Sequence, residues 1–379
     1  MKIFLVGGAV RDKILGVSNH DKDYVVVGAS PKEMLENGYV SIGKSFPVFI
    51  KPNKDGEYAL ARKEIKTGPR HTDFEFIFDS SIILRDDLDR RDFTCNAIAY
   101  DSDTNKYIDY HHGIEDIKSG VLRHVNAEHF VEDPLRILRL CRFAAQLNFS
   151  VSTDTMELVT KMVNLGMLQE LSKERIWMEV SRALETESFC KFLETAHECG
   201  ALKKLIPFID EYFDEKNHNK FIQINTRLNF LKNHEPITKF ASLFCELNSQ
   251  KESEKFLKET FDALSPPTKF KKFTNLVFYN AGTVNPSLLS NSEACIQLFE
   301  KFSKDEFLFT EFLSICEADL NAIGQGDDKL FEQMRRLWTK LSKVKATDMP
   351  NFSELSKDKT FASHFFKFKA DIIKSTIAK

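Results

Sequence analysis

The chain has 379 residues, 42% of them hydrophobic, and a formal net charge of −3. That length supports two or three domains with a sizeable core, and the charge excludes a bulk polycation, so any nucleic-acid partner needs a local basic face. No apolar run reaches a membrane span, charges interrupt the N-terminal apolar stretch too early for a signal peptide, and seven scattered cysteines without a C-x-x-C pair suit reduced thiols in a cytoplasmic protein.

In chain order, KIFLV reads as a strand ending in Gly7-Gly8, residues 9–16 as a helix carrying Arg11 and Asp12, and DYVVV as a strand opened by Asp21-Lys22-Asp23. Alternate strand residues share a face, so Asp21 and Asp23 project together and can ligate one or two Mg²⁺ ions for nucleotidyl transfer. The glycines allow close backbone approach, and the N–H groups opening the next helix can receive phosphate oxygens. Alone, a D-x-D is usually a strand end and Gly-Gly a turn. Joined at this spacing, they read as a nucleoside triphosphate site.

Further short β-branched or aromatic runs follow, FPVFIK, EYALAR, FEFIF and KYIDY, with a second helix at 31–36. These make an α+β domain on a small sheet. Residues 62–87, which include GPRH, read as a mobile loop near the site. Next comes Arg90-Arg91-Asp92-Phe93-Thr94 with Asn96, whose arginines suit phosphate oxygens and whose aspartate suits a ribose hydroxyl. The bland alternative is a solvated cluster capping a helix.

From about residue 115 the apolar period becomes 3.6, in EDPLRILRLCRFAAQLNF, TDTMELVTKMVNLGML and SKERIWMEVSRALET. Asp133 before Pro134, and Ser172 before KERIW, mark helix starts. Asp133 and Arg136 stand three apart, and Arg139 and Arg142 continue a basic stripe opposite Ile137, Leu138, Cys141 and Ala145. An exposed i,i+3 ion pair is the plain explanation. The sharper one is base reading: a carboxylate accepts from an exocyclic amino group while a guanidinium donates to the adjacent acceptor. Cytosine and adenine offer that pattern; guanine and uracil reverse it. The remainder reads as Phe- and Lys-rich helices interrupted near residues 265–267, 280–286 and 324–326, with runs such as TKFKKF and KFLKETF available to RNA.

These clusters, in this order, resemble the class II tRNA nucleotidyltransferases, the CCA-adding enzymes, and their relatives the bacterial poly(A) polymerases. The matching stretches are LVGGAVRDKILG with HDKDYVVVG, RRDFTCNAIA, EDPLRILRLCRFA and SKERIWMEV, plus a connector in which Asp109, Gly113 and Asp116 match. They lie within residues 1–210, and EYALARKE points to the Gram-negative CCA branch. The resemblance implies an α+β DNA polymerase β-like nucleotidyltransferase head over 1–115, a helical neck over 116–190 and a helical body and tail over 191–379 that bind tRNA. It implies Mg²⁺ on Asp21 and Asp23, ATP or CTP against Gly8, Arg11, Arg91 and Asp92, base recognition by Asp133 and Arg136, and support from Arg139. Glu57 is a possible third carboxylate, and the expected assembly is a monomer.

One departure concerns the His-Asp phosphohydrolase domain of many Gram-negative relatives. Cys245 and Glu246 stand where its His and Asp would be, so no phosphatase or phosphodiesterase activity is expected. His111-His112 replaces a Pro-containing turn and reads as a loop pair. The alternatives within the same chemistry are a poly(A) polymerase or a half-enzyme adding only CC or A. A different class, a catalytically silent RNA-binding protein, conflicts with the retained carboxylates and arginines.

Overall fold

The computed structural model describes residues 1–18, 21–42, 48–52, 55–66, 74–77, 81–245, 247, 251–356 and 358–377. Its chain divides into two compact units, residues 1–183 with 191–201, and residues 184–190 with 202–379.

The first unit opens with β1 (Lys2–Val6), α1 (Gly8–Leu15), β2 (Asp23–Val27), α2 (Pro31–Glu36), β3 (Val40–Ser41), β4 (Val48–Ile50) and β5 (Glu57–Leu60). It continues with β6 (Lys63–Lys66), β7 (Phe74–Ile77), α3 (Leu84–Asp89), β8 (Ile98–Asp101), β9 (Lys106–Asp109) and α4 (Gly113–Ser119). Seven strands form one sheet in the order β3-β4-β5-β2-β1-β8-β9, with β2 and β5 parallel and the other neighbours antiparallel. The alternation of β2 explains its burial. Val25 packs with Phe4, Leu84 and Leu88 in one cluster, whereas Val26 packs with Met34, Phe49 and Tyr58 in another. Its Val-rich middle is thus covered on both faces, as a central strand requires.

The sheet is larger than the short sequence runs imply. The strand β8 lies inside it between β1 and β9, and as part of the apolar run NAIAY it shows no period-2 signal because Ile98 and Ala99 are both buried. The expected loop over 62–87 is corrected. Residues Lys63–Lys66 and Phe74–Ile77 pair as an antiparallel ribbon and Leu84–Asp89 is helical, while GPRH lies outside the described residues. Phe46 and Pro47 of FPVFIK also lie outside them, as does His20.

The connector residues are structural. Asp109 accepts from the N–H groups of His111, Gly113 and Ile114, capping α4. A Cβ at Gly113 would collide with the Thr94 carbonyl, and Asp116 accepts from the Thr94 hydroxyl at 2.7 Å. His112 takes a left-handed φ of 58°, and His111 pairs with Asp89 at 2.8 Å.

Then follow β10 (Val121–Leu122), α5 (Ala127–Phe130), α6 (Leu135–Leu147), β11 (Ser150–Val151), α7 (Thr153–Asn164) and α8 (Lys173–Leu184). Helix α6 starts one residue later than Asp133-Pro134 predicts. Pro134 stands in helical conformation before it, and the Asp133 carboxylate accepts from the Leu135 N–H. The apolar face of α6 (Ile137, Leu138, Cys141, Ala145) is buried as its period requires.

The second unit is helical, from α9 (Phe189–Glu198, shared with the first unit) to a last helix at Phe361–Ile377. Its aromatic packing accounts for much of the 34 Phe: Phe302, Phe309 and Phe312 are almost fully buried, and Phe309 stacks on Trp338 at 4.1 Å between ring centroids. Such pairs add about 1 kcal/mol each beyond area burial.

Candidate active site

A cleft of about 620 Å³ lies in the first unit and is lined by the turn into α1, the start of β2, the segment after α3 and one face of α6. Gly8, Arg11, Asp21, Asp23, Arg91, Asp92, Asp133, Arg136 and Arg139 all line it, so residues more than 100 positions apart converge on one space.

Gly7 makes the turn possible. Its φ of 70° suits glycine, and a Cβ there would sit 3.1 Å from Arg91 Nη1. Gly8 and Ala9 open α1 with amide groups that have no partner within the helix, and both line the cleft. Arg11 is buried and fixed: Nε donates to Asp12 at 2.8 Å and Nη1 to the Asn96 side chain at 2.8 Å.

Asp23 begins β2, with Asp21 just outside the strand, and Asp23 aligns with Glu57 on β5. Desolvation in the cleft pushes the Asp23 carboxyl above its ordinary pKa; Arg91 opposes this, and Glu57 and Asp21 add repulsion. Neighbouring carboxylates that the nearby guanidinium does not fully neutralise are chemically suited to a divalent cation. Among the described residues no three His, Cys, Asp or Glu side chains form a metal cage. A pair of carboxylate oxygens of this kind suits a hard divalent cation.

The segment after α3 is an ordered network rather than a solvated cap. Asp87, fully buried, takes Arg90 at 2.5 Å and Arg91 at 3.2 Å, and these arginines hold its carboxyl below the usual range despite burial. Asp92 is also buried. Its Oδ1 accepts from the Phe93 N–H and the Asn96 amide, and its Oδ2 from Arg139 Nε and Nη2. Burial disfavours the Asp92 charge, but Arg139, Arg136 and these hydrogen bonds prevail and lower its pKa to about 2. Those four donors fill the acceptor capacity of a carboxylate.

On α6, Arg136 donates to the carbonyls of His129 at 2.7 Å and Arg90 at 2.6 Å, and Asp133 receives Arg175 of α8 at 3.1 Å. Arg142 pairs with buried Glu179 at 2.5 Å and with Gln146 at 2.8 Å. Sequence reasoning missed Phe143 and Gln146 in this lining. The Phe143 ring lies under three guanidiniums, those of Arg142, Arg139 and Arg11, at 4.0, 5.3 and 5.4 Å. Its position four residues after Arg139 was the available signal.

A mixed sheet with a paired carboxylate beside a glycine turn, faced by an arginine-striped helix, defines a nucleotidyltransferase head. The family described as "Poly A polymerase head domain" matches residues 3–123, and "Probable RNA and SrmB-binding site of polymerase A" matches residues 148–213. A Multifunctional CCA protein of Vibrio campbellii is 38% identical over 348 residues, covering 84% of this chain and 85% of that protein; one from Paraburkholderia phymatum is 34% identical, covering 92% and 91%. A solved tRNA nucleotidyltransferase, complexed with a primer tRNA and an incoming ATP analog, superposes with a TM-score of 0.64 at 26% identity, covering 92% of this chain and 97% of that one. The chain belongs to this family of CCA-adding tRNA nucleotidyltransferases.

Proposed function

We propose that the protein adds C, C and A to tRNA 3′ ends from CTP and ATP, without a nucleic-acid template, in the cytoplasm and as a monomer. The observation that carries this is the convergence of the Asp21–Asp23 pair, the α1 N-terminus and the Asp133/Arg136 face of α6 on one cleft. Asp21 and Asp23 would hold Mg²⁺, which when bound lowers the pKa of the attacking 3′-hydroxyl and neutralises charge on the α-phosphate.

The chain's own groups do the positioning. The N–H groups of Gly8 and Ala9, with Arg11 and Arg91, receive the triphosphate oxygens, and Asp12, Asn96 and Asp87 pre-set those guanidiniums. Asp92, its acceptor sites filled, serves as the anchor of Arg139 rather than as a direct ribose partner. Asp133 accepts from the exocyclic amino group of C or A, and Arg136 donates to the neighbouring ring acceptor. The opposite pattern of G and U leaves both unpaired. The register of Glu57 opposite Asp23 supports a role for it as a further carboxylate. The helical neck, body and tail hold the tRNA by shape and backbone contacts.

The test is incubation of tRNA lacking CCA with each triphosphate separately and together, followed by sequencing of product ends. Ordered C, C, A addition is expected. Long A-tails without C identify a poly(A) polymerase, termination after CC or addition of A alone identifies a half-enzyme, and no incorporation with Mg²⁺ or Mn²⁺ returns the silent binding protein.

A further inference from the structure

We infer that Arg175 of α8 is a positioning residue for base selection, acting through Asp133. The inference rests on the base-reading role proposed for Asp133.

Ser172 fixes the start of α8: its hydroxyl accepts from the Arg175 N–H at 3.4 Å. Arg175 Nη2 then donates to Asp133, at 3.1 Å to Oδ1 and 3.4 Å to Oδ2. The Leu135 N–H binds the same Oδ1 at 3.1 Å. Both donors favour one oxygen, which sets the rotation of the carboxylate and leaves Oδ2 as the less occupied acceptor. This matters because the terminal torsion of aspartate is broad and weakly restrained by itself.

The other end of Arg175 is unusual. Its Nη1 is buried without a hydrogen-bond partner among the described residues. Leaving a buried donor unpaired is costly, and its retention fits an arginine held for what its other nitrogen does. One turn further along α8, Glu179 takes Arg142 at 2.5 Å. The same helix therefore holds the residue just before α6 and Arg142 within α6, with opposite charges at the two points.

The chemical consequence is selectivity. An acceptor in a fixed place rewards an exocyclic amino group; one free to swing can turn aside and let water serve a carbonyl. Arg175 meets the base only through Asp133, so its loss should alter the ratio between nucleotides more than the capacity to bind tRNA.

The experiment compares wild type, Arg175→Ala, Arg175→Lys and Asp133→Ala as full chains, measuring kcat/KM for CTP, ATP, UTP and GTP on tRNA lacking CCA, with tRNA binding alongside. Arg175→Ala should lower the preference for CTP over UTP by roughly 10- to 100-fold, as misplaced positioning groups do, with tRNA affinity unchanged. Arg175→Lys should recover part of that preference, and it carries the measurement if the alanine variant does not fold. An unchanged preference overturns the inference, and so does an equal fall for all four triphosphates, which marks a structural role. If Asp133→Ala keeps full selectivity, the base-reading assignment itself fails. Loss there with none at Arg175 overturns the present inference alone.

Discussion

Asp23 and Asp92 are two carboxylates of one cleft whose environments push them in opposite directions. Asp23, raised by desolvation and by Glu57 and Asp21, costs folding stability once ionised, so that stability falls as pH rises through its raised pKa. Asp23→Asn should therefore leave thermal stability equal or higher in the absence of metal while abolishing nucleotide incorporation. A clear drop in Tm without added metal would contradict this electrostatic reading. Because protons compete with Mg²⁺ for a carboxylate, kcat/KM should fall on the acid side, and that fall should move to lower pH as Mg²⁺ is raised.

Asp92 behaves the other way. Its pKa is lowered to about 2 from 3.8, so its contribution is fully present above the unfolded value and is lost as pH falls toward 2. That difference corresponds to about 2 kcal/mol at neutral pH. Asp92→Asn should lower stability by about that amount in denaturant titration, and it should raise KM for triphosphates by releasing Arg139. An unchanged KM would detach Arg139 from the nucleotide.

Among the elements, the β1–α1 turn holds the site's tightest tolerance. Gly7→Ala combines an unfavourable positive φ with a Cβ pressed against Arg91, so a loss of about 1 kcal/mol in stability is expected together with weaker triphosphate binding. Equilibrium unfolding and nucleotide titration read the two effects separately. Helices α6 and α8 show how far such elements are legible in sequence. The 3.6 period of EDPLRILRLCRF announced the helix and its arginine face. It did not announce that Asp133 would be held by Arg175 or Arg142 by Glu179, because both pairings join segments about 40 residues apart. The strand β8 escaped for a related reason: buried on both faces, it carries no alternation to read.

Across the whole chain, chemistry and the helical second unit are separable in sequence and in compactness. Asp21→Ala should abolish incorporation while tRNA binding survives in a filter or gel-shift assay; turnover by this variant would remove Asp21 from the metal seat. The purified protein should not hydrolyse phosphodiesters with added divalent metal. The stretch that would carry a His-Asp motif has Phe240, Ala241, Leu243 and Phe244 buried in apolar packing and a partly buried Cys245, while Glu246 lies outside the described residues. Metal-dependent hydrolysis would show a second centre.

By itself the sequence determined the chemistry: two aspartates two apart after Gly-Gly, vicinal arginines with an aspartate, and an Asp–Arg helix start are local patterns set by side-chain type and spacing. Only the tertiary structure decided which of these groups are available to a substrate. Asp92 and Arg139 looked like independent ligands in the chain, yet they satisfy each other, because burial demands a partner for each charge and only the fold says which partner is near. The same constraint joins Arg175, unremarked as a residue in its helix, to Asp133 at the mouth of α6.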